Sequence, residues 1–218
     1  YSFHATYEDL QREYDKMHGT YTRIFTKLGL RFRAVSADTG SIGGTGSHEF
    51  HVLADSGEDA IAYCPDSDYA ANLELASALA APKERAHPRL SISDVATPGK
   101  KKCGEVASFL NVDLRSIVKT IAVIFESSDD TVPARFALIL LRGDHELNNI
   151  KTTRNLGSFR FATDQEITST LSCPPGYIGP VGLEDANVYA DWSVMQMSDF
   201  VCGANKEGFH FTGVNWGI

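Results

Sequence analysis

The amino-acid sequence predicts an α/β (α+β) fold in which helices flank a central mixed β-sheet. After about residue 100, segments with helical spacing alternate with segments rich in branched and aromatic residues, as in folds that pack helices on a sheet. Residues 136–141 are apolar without polar alternation, which indicates a strand covered on both faces. With 218 residues, 43% hydrophobic and 22% charged, the chain can bury a substantial core and is unlike a disordered protein.

The first predicted element is a long amphipathic helix over residues 7–28. Thr6 and Asp9 have the spacing of an N-terminal cap, and Gly29 is expected to end the helix. The apolar residues that recur at helical spacing along one stripe are Leu10, Tyr14, Met17, Tyr21, Ile24, Phe25 and Leu28.

Two short strands and a second helix are expected next. Residues 31–35 and residues 49–53 each alternate as strands do, and the glycine-rich stretch that reaches Gly46 predicts the loop between them. Residues 68–79 predict a helix capped by Ser67.

The second part of the chain begins with a linker. Three prolines within residues 82–98 predict this linker, with a short extended piece at residues 90–92, and composition alone places a break near Ala81. Beyond it, the pattern predicts helices at 102–110, 145–155 and 163–171, and strands at 118–125, 135–141, 187–195 and 209–214.

The net charge limits the classes of partner. A formal charge of -8 argues against a protein that grips long stretches of phosphate backbone, but it is compatible with a pocket for one short single-stranded end. The cluster Lys100 to Lys102 predicts a solvated loop before a helix.

Other function classes find no support in the sequence. The four cysteines are widely scattered, without the spacing of metal ligands or of a disulfide scaffold, and predict free buried thiols. No HExxH, P-loop or dinucleotide fingerprint is present. No apolar run approaches the about 20 residues of a membrane span, and the N-terminus does not resemble a signal peptide. We therefore expect a cytoplasmic protein without membrane association, and a chain that opens without Met predicts a piece of a longer one.

Lys119 is the sharpest candidate for chemistry. It stands at the start of a strand whose other residues are mostly apolar. A lysine in this setting commonly extends its ammonium from the strand edge into solvent, and on the residues alone this structural interpretation is the more frequent one. The functional interpretation is a fixed cation that stabilises negative charge on a substrate.

A glycine-rich turn follows two prolines. In residues 176–180, Gly176 and Gly179 allow the backbone to approach a ligand closely and present N–H groups, while Pro180 fixes the exit of the loop. The alternative is an ordinary turn, and such turns are common.

Two histidines and one aspartate are further candidates. His145 lies between a buried strand and a helix that Asp144 is expected to cap, and it is either an acid or base or a residue of the connection. His210 alternates with two phenylalanines, so it faces solvent or a cleft if they face the core. Asp191 and His210 are, unaided, ordinary polar residues of strands.

Seven short motifs together resemble bacterial-type prolyl-tRNA synthetase, although none identifies it alone. They are ADTGSIGG at 37–44, SHEF at 47–50, SDYAAN at 67–72, VKT at 118–120, RGDHELN at 142–148, GYIGP at 176–180 and GAN at 203–205. The resemblance covers nearly the whole chain. It implies that residues 1–63 are part of a class II aminoacylation core and that residues 64–218 are the inserted aminoacyl-tRNA editing domain, with the fold of the trans-editing deacylases.

The resemblance also implies roles for the candidate residues. Lys119 matches the essential lysine of the editing site, and Gly176, Gly179 and Pro180 match its G-x-x-x-P loop. Asp191 matches an aspartate suited to the substrate α-ammonium. His210 matches a histidine that helps to set amino-acid specificity, and His145 matches a residue that lines the pocket.

The function implied is post-transfer editing, the hydrolysis of alanine esterified to tRNA(Pro). The expected partner is the acceptor end of tRNA(Pro) carrying alanine, and no cofactor is expected for editing. The parent synthetase, a ligase that uses ATP and Mg, is expected to be a homodimer, and prolylation by this piece is not expected. Two alternatives stay open: a deacylase for another residue such as Cys-tRNA(Pro), and a module that positions tRNA or stabilises the synthetase without catalysis.

Overall fold

The computed structural model describes residues 1–40, 44, 46–77, 84–126, 131, 133–183 and 186–217. It divides into two compact units, Tyr1–Ala78 and Leu79–Ile218. The predicted break at Ala81 lies outside the described residues, and the predicted boundary after residue 63 stays a prediction. Within the described parts, the mixture of helices with parallel and antiparallel strands confirms the predicted fold class.

The first unit opens with the predicted helix, α1, which spans Tyr7–Lys27. The Thr6 side chain accepts a hydrogen bond from the backbone N–H of Asp9 at 3.2 Å, so the predicted cap is confirmed. The helix ends at Leu28, and Gly29 follows with φ +68°, a conformation that glycine adopts without strain. Side chains of α1 pack on the sheet through rings, among them Phe25, whose ring centre is 5.5 Å from that of Phe50.

A four-stranded sheet completes this unit. Its strands are β1 (Phe32–Ala37), β2 (Ser47–Val52), β3 (Ile61–Tyr63) and β4 (Ala70–Asn72), in the order β2-β1-β4-β3. Strand β1 pairs antiparallel with β2 and parallel with β4. The two strands predicted at 31–35 and 49–53 are present with bounds shifted by one or two residues, although their burial does not alternate regularly. Part of the glycine-rich stretch between them lies outside the described residues.

The helix predicted over residues 68–79 is wrong. Residues 70–72 instead form β4, in which Ala70 and Ala71 are buried and Ala71 pairs with Ser36 of β1. Ser67 accepts from the backbone N–H of Tyr69 in the preceding turn rather than capping a helix. The local helical preference of the alanines therefore yields to sheet pairing and burial. Residues 78 and 79 are outside the described part.

Seven strands lie in the part of the second unit that the structure describes. They form a four-stranded mixed sheet in the order β8-β6-β7-β9 and a three-stranded antiparallel sheet in the order β10-β11-β5. Their bounds are β5 (Ser93–Ala96), β6 (Val118–Phe125), β7 (Arg135–Arg142), β8 (Phe159–Phe161), β9 (Asn187–Ala190), β10 (Phe200–Gly203) and β11 (Phe209–Val214).

Helices flank these sheets, as predicted. They are α2 (Cys103–Leu110), α3 (Asn149–Leu156), α4 (Asp164–Leu171) and α5 (Trp192–Met195), with a short 3₁₀ turn at Leu114–Ser116. Strands β6 and β7 pair in register over their full length, from Val118 opposite Arg142 to Phe125 opposite Arg135. Ala137 to Leu141 of β7 are buried, which confirms that this strand is covered on both faces.

Three predicted bounds in the second unit are wrong. Helix α3 begins at Asn149 and not at residue 145, because Asn148 caps it and Asp144 accepts hydrogen bonds from Arg142 instead. The strand expected over residues 187–195 ends at Ala190, where Asp191 caps α5.

The third wrong bound is the extended piece expected at residues 90–92, since the strand there is β5, at Ser93–Ala96. All four cysteines are free, as predicted. The predicted burial holds for Cys173 and Cys202 and is wrong for Cys64 and Cys103, which are partly exposed. Among the helices that the structure describes, none combines the length and the apolar character that a bilayer crossing needs.

Candidate functional site

A small cavity of about 70 Å³ lies beside the first half of β6. Strand β8 pairs with Val123, Ile124 and Phe125 of β6, so it does not cover the beginning of that strand. The cavity brings together three of the predicted site residues, Lys119, Gly176 and His210. Its lining residues are Lys101, Cys103, Val106, Ile117, Val118, Lys119, Thr120, Gly176, Ile178, Gly203 and His210.

The ammonium of Lys119 is held by one exposed carboxylate. Lys119 Nζ donates a hydrogen bond to Glu146 Oε1 at 3.0 Å, and the lysine side chain is 18% exposed whereas that of Glu146 is 93% exposed. Because the carboxylate of the pair is exposed, water screens its interaction with the lysine. Glu146 was not among the site residues predicted from the sequence.

His210 is a buried wall of the cavity. It is 5% exposed, and its Nδ1 lies 2.6 Å from Thr97 Oγ1. Its ring also meets the ring of Tyr177 edge to face, with centres 5.7 Å apart. Burial lowers the pKa of His210, so the imidazole is neutral at pH 7. Of the two predicted orientations, the one toward solvent is wrong and the one toward a cleft is confirmed.

The glycines of the predicted loop are required by close packing. A Cβ at Gly176, where φ is +96°, would come within 2.8 Å of Lys101 Cβ, and a Cβ at Gly179 would collide with the carbonyl oxygen of Gly203. The N–H of Gly179 donates to Asn205 Oδ1 at 2.8 Å, so the expectation that it faces a ligand is wrong. Gly179 and Pro180 are not among the residues that line the cavity.

Asn205 holds this loop in place, a role that the sequence analysis missed. Its Nδ2 donates to the carbonyl oxygens of Gly179 at 3.0 Å and Val181 at 2.8 Å. Its backbone N–H donates to the carbonyl oxygen of Tyr177 at 2.9 Å. Asn205 itself has φ +53°, a conformation that asparagine tolerates better than most residues. The GAN motif at 203–205 was the available signal, because it pairs a close-packed glycine with this asparagine.

His145 and Asp191 lie in a different concave region. They line an open groove of about 960 Å³ that follows β7, α3 and β9. The Asp191 carboxylate accepts from the backbone N–H of Ser193 at 2.9 Å, and Ser193 Oγ lies 3.4 Å from His145 Nδ1. Glu146 also lines this groove, so its bond to Lys119 connects the groove with the cavity.

Lys101 and Cys103 complete the rim of the cavity. Lys101 is exposed, as predicted for the basic cluster, but its Nζ lies 5.8 Å from the centre of the Tyr177 ring and the residue lines the cavity. The pKa of the Cys103 thiol is raised, chiefly by burial. The nearby Lys119 ammonium lowers this pKa and the Glu146 carboxylate raises it, but burial has the larger effect. The thiol is therefore protonated at neutral pH and is a poor nucleophile.

The chemistry available to this cavity is polar but not covalent. It offers a cation at Lys119, a neutral imidazole and a hydroxyl, which suit the binding of an anion or the polarisation of a carbonyl group. Across the parts of the chain that the structure describes, no group of three or more His, Cys, Asp or Glu residues is placed to hold a metal ion.

Relatives of the chain agree with the resemblance predicted from its motifs. Proline–tRNA ligase of Dechloromonas aromatica is 59% identical over 221 residues, a match that covers 100% of this chain and 38% of that protein. The same enzyme of Methylobacillus flagellatus is 56% identical over 220 residues, with coverage of 100% and 38%. The chain thus spans less than two fifths of the length of these relatives, and the predicted resemblance to prolyl-tRNA synthetase is confirmed.

The second unit carries the family match. A solved structure of a proposed trans-editing enzyme for prolyl-tRNA synthetase is 21% identical, covers 56% of this chain and 76% of that one, and has a TM-score of 0.48. The sequence profile described as "Aminoacyl-tRNA editing domain" matches residues 97–218, which include every residue that lines the cavity. The chain therefore belongs to the aminoacyl-tRNA editing domain family.

Proposed function

We propose that the chain hydrolyses the aminoacyl ester of mischarged Ala-tRNA(Pro). The observation that carries the proposal is the cavity of about 70 Å³ in which Lys119, Gly176 and His210 meet. These are three of the residues for which the family resemblance implies roles in editing, and they come from distant parts of the sequence.

The size of the cavity favours alanine. A water molecule needs about 10–15 Å³ of such space, so 70 Å³ has room for a small side chain together with a water. The larger ring of proline would displace the water that hydrolysis consumes. A synthetic site sized for proline discriminates weakly against a smaller side chain, with only about 1–3 kcal/mol per methylene, so a second and smaller site removes the error.

Lys119 supplies the charge for this reaction. When an aminoacyl ester enters the cavity, Lys119 Nζ leaves the exposed carboxylate of Glu146. The ammonium then stabilises negative charge on the ester carbonyl or on the terminal phosphate. Aminoacyl esters are already activated, so a positioned water beside a polarised carbonyl suffices, without a covalent nucleophile. The free hydroxyl of the terminal ribose of the tRNA lies beside the ester bond, so it is placed to assist hydrolysis.

The groove beside the cavity serves the part of the substrate that stays outside. His145 and Asp191 line it, and the Lys119–Glu146 pair marks its junction with the cavity. We assign the acceptor end of tRNA(Pro) to this groove, with Asp191 available to a cationic group such as the α-ammonium. The remaining expectations concern the longer parent protein: ligation of proline with ATP and Mg, a homodimer, and a cytoplasmic location.

The test is single-turnover deacylation of Ala-tRNA(Pro) by the chain and by its Lys119→Ala variant. We expect the variant to keep its fold, because the ion pair that the structure describes for this lysine is with an exposed carboxylate, and to lose most of the rate. Lys16→Ala is the matched control, since that lysine also pairs with a glutamate. Equal rates in the chain and the Lys119 variant would overturn the assignment. A parallel reaction with chelator tests the expected independence from metal.

A further inference from the structure

The hydroxyl of Thr120 is buried without a partner. Its Oγ1 is shielded from solvent and makes no hydrogen bond within the part of the chain that the structure describes. Two other atoms share this property, Arg33 Nε and Asn72 Oδ1, and both belong to the first unit. Buried polar groups in native proteins nearly always have a partner, so the Thr120 hydroxyl calls for one.

Thr120 lines the cavity that contains Lys119 and His210, and a change of its side-chain rotamer brings the hydroxyl, shielded in the present conformer, to a partner there. A cavity can hold water when it is polar and exceeds about 10–15 Å³, and this one measures about 70 Å³. A hydroxyl both donates and accepts, so it can orient a water molecule without being ionised. Thr97, by contrast, has its hydroxyl 2.6 Å from the His210 ring and is already satisfied.

We propose that Thr120 Oγ1 binds and orients the water molecule that attacks the aminoacyl ester. This inference rests on the proposed function. The hydroxyl accepts a hydrogen bond from one O–H of the water, which aims the oxygen lone pair at the ester carbonyl carbon beside Lys119. The water oxygen bonds to that carbon, the bond from the carbon to the ribose oxygen breaks, and one proton of the water ends on the ribose oxygen. Free amino acid and deacylated tRNA leave, and Thr120 is unchanged.

The decisive variants are Thr120→Val, which keeps the shape and removes the hydroxyl, and Thr120→Ser, which keeps the hydroxyl. In single-turnover deacylation of Ala-tRNA(Pro), we expect Thr120→Val to lower the saturating rate about tenfold and to leave the half-saturating concentration within about twofold. Thr120→Ser should recover the rate to within about threefold. Thr212→Val is the matched control, because Thr212 is also in a strand but does not line the cavity.

The kinetic split separates this role from others. An unchanged saturating rate in Thr120→Val, or an equal loss in Thr120→Ser, would overturn the inference. A change confined to the half-saturating concentration would also overturn it, because the hydroxyl would then bind substrate and not water. Because valine favours strands, we expect Thr120→Val to fold, and thermal melts of the three variants check this.

Crystal structures of the chain and of Thr120→Val provide a second test that does not depend on activity. We expect an ordered water within about 3.2 Å of Thr120 Oγ1, and its loss in the valine variant. Absence of that water in the unaltered chain would overturn the inference. If the unaltered chain hydrolyses no ester, the proposed function fails, and the catalytic part of this inference fails with it. In that case the crystal structure still shows whether the Thr120 hydroxyl binds a water molecule.

Discussion

Lys119 Nζ lies 3.0 Å from Glu146 Oε1, in an ion pair whose lysine is mostly buried and whose glutamate is almost fully exposed. The two residues are 27 positions apart, and the pair forms where the cavity meets the groove. Because the carboxylate keeps most of its hydration, it satisfies the lysine in the free chain without holding it strongly. Under the proposed function, we expect Glu146 to compete with the substrate for Lys119.

We expect Glu146→Gln to bind Ala-tRNA(Pro) up to about fivefold more tightly, because Lys119 no longer gives up a charged partner. The gain should shrink as salt screens the charges. The measurement is the half-saturating concentration at low and high salt, with Glu166→Gln, which removes a partner of Arg160 elsewhere on the unit, as control. Weaker binding in Glu146→Gln would show that Glu146 contacts the substrate favourably, contrary to this account.

Truncation of His210 should relax the selection by size. His210→Ala removes a buried ring from the cavity wall, and the larger cavity should accept proline. We expect the ratio of prolyl- to alanyl-tRNA(Pro) deacylation to rise about tenfold. Thr97→Val removes the hydrogen bond to His210 without enlarging the cavity, and it should leave the ratio nearly unchanged. A ratio that stays constant in His210→Ala would count against the role.

The stability of the chain should carry a signature of His210 at mildly acidic pH. Burial lowers the pKa of His210 below its ordinary value of about 6.5, so below that pH the unfolded chain takes up a proton that the folded chain does not. The free energy of unfolding therefore falls as pH falls through this window, and the loss is absent in His210→Gln. As the pH is lowered from 7.5 to 5.5, we expect the Tm of the unaltered chain to decrease more steeply than the Tm of His210→Gln. Parallel curves would contradict the burial of an uncharged imidazole.

Predictions from the sequence succeeded where the local pattern and the fold agree. The apolar run of β7 indicated burial on both faces, and the strand predicted over residues 118–125 is β6. The pattern failed for β4, whose alanines favour a helix in isolation but pair with β1 in the structure. It also missed β3, β8 and β10, which are three or four residues long and acquire their conformation from neighbouring strands.

Most of the residues that line the cavity could not be predicted from the sequence, because they come together only through tertiary packing. Thr120, Gly203 and Cys103 meet there through contacts between distant segments. Thr120 and Gly203 belong to the VKT and GAN motifs, but a motif does not show which residues of other segments it contacts. The carbonyl oxygen of Gly203 lies where a Cβ of Gly179 would stand, and only the packed structure shows that relationship. His145 and Asp191 were predicted as site residues together with Lys119, but they line the groove and not the cavity.

The central claim is that this chain removes small amino acids from tRNA(Pro) and spares proline. The direct measurement is single-turnover hydrolysis of alanyl-, cysteinyl- and prolyl-tRNA(Pro), with the purified chain in excess. We predict that alanyl-tRNA(Pro) is hydrolysed fastest, and that prolyl-tRNA(Pro) decays at the rate seen without protein. Faster release of cysteine would instead make the chain a cysteinyl deacylase, and spontaneous rates for all three esters would contradict the claim.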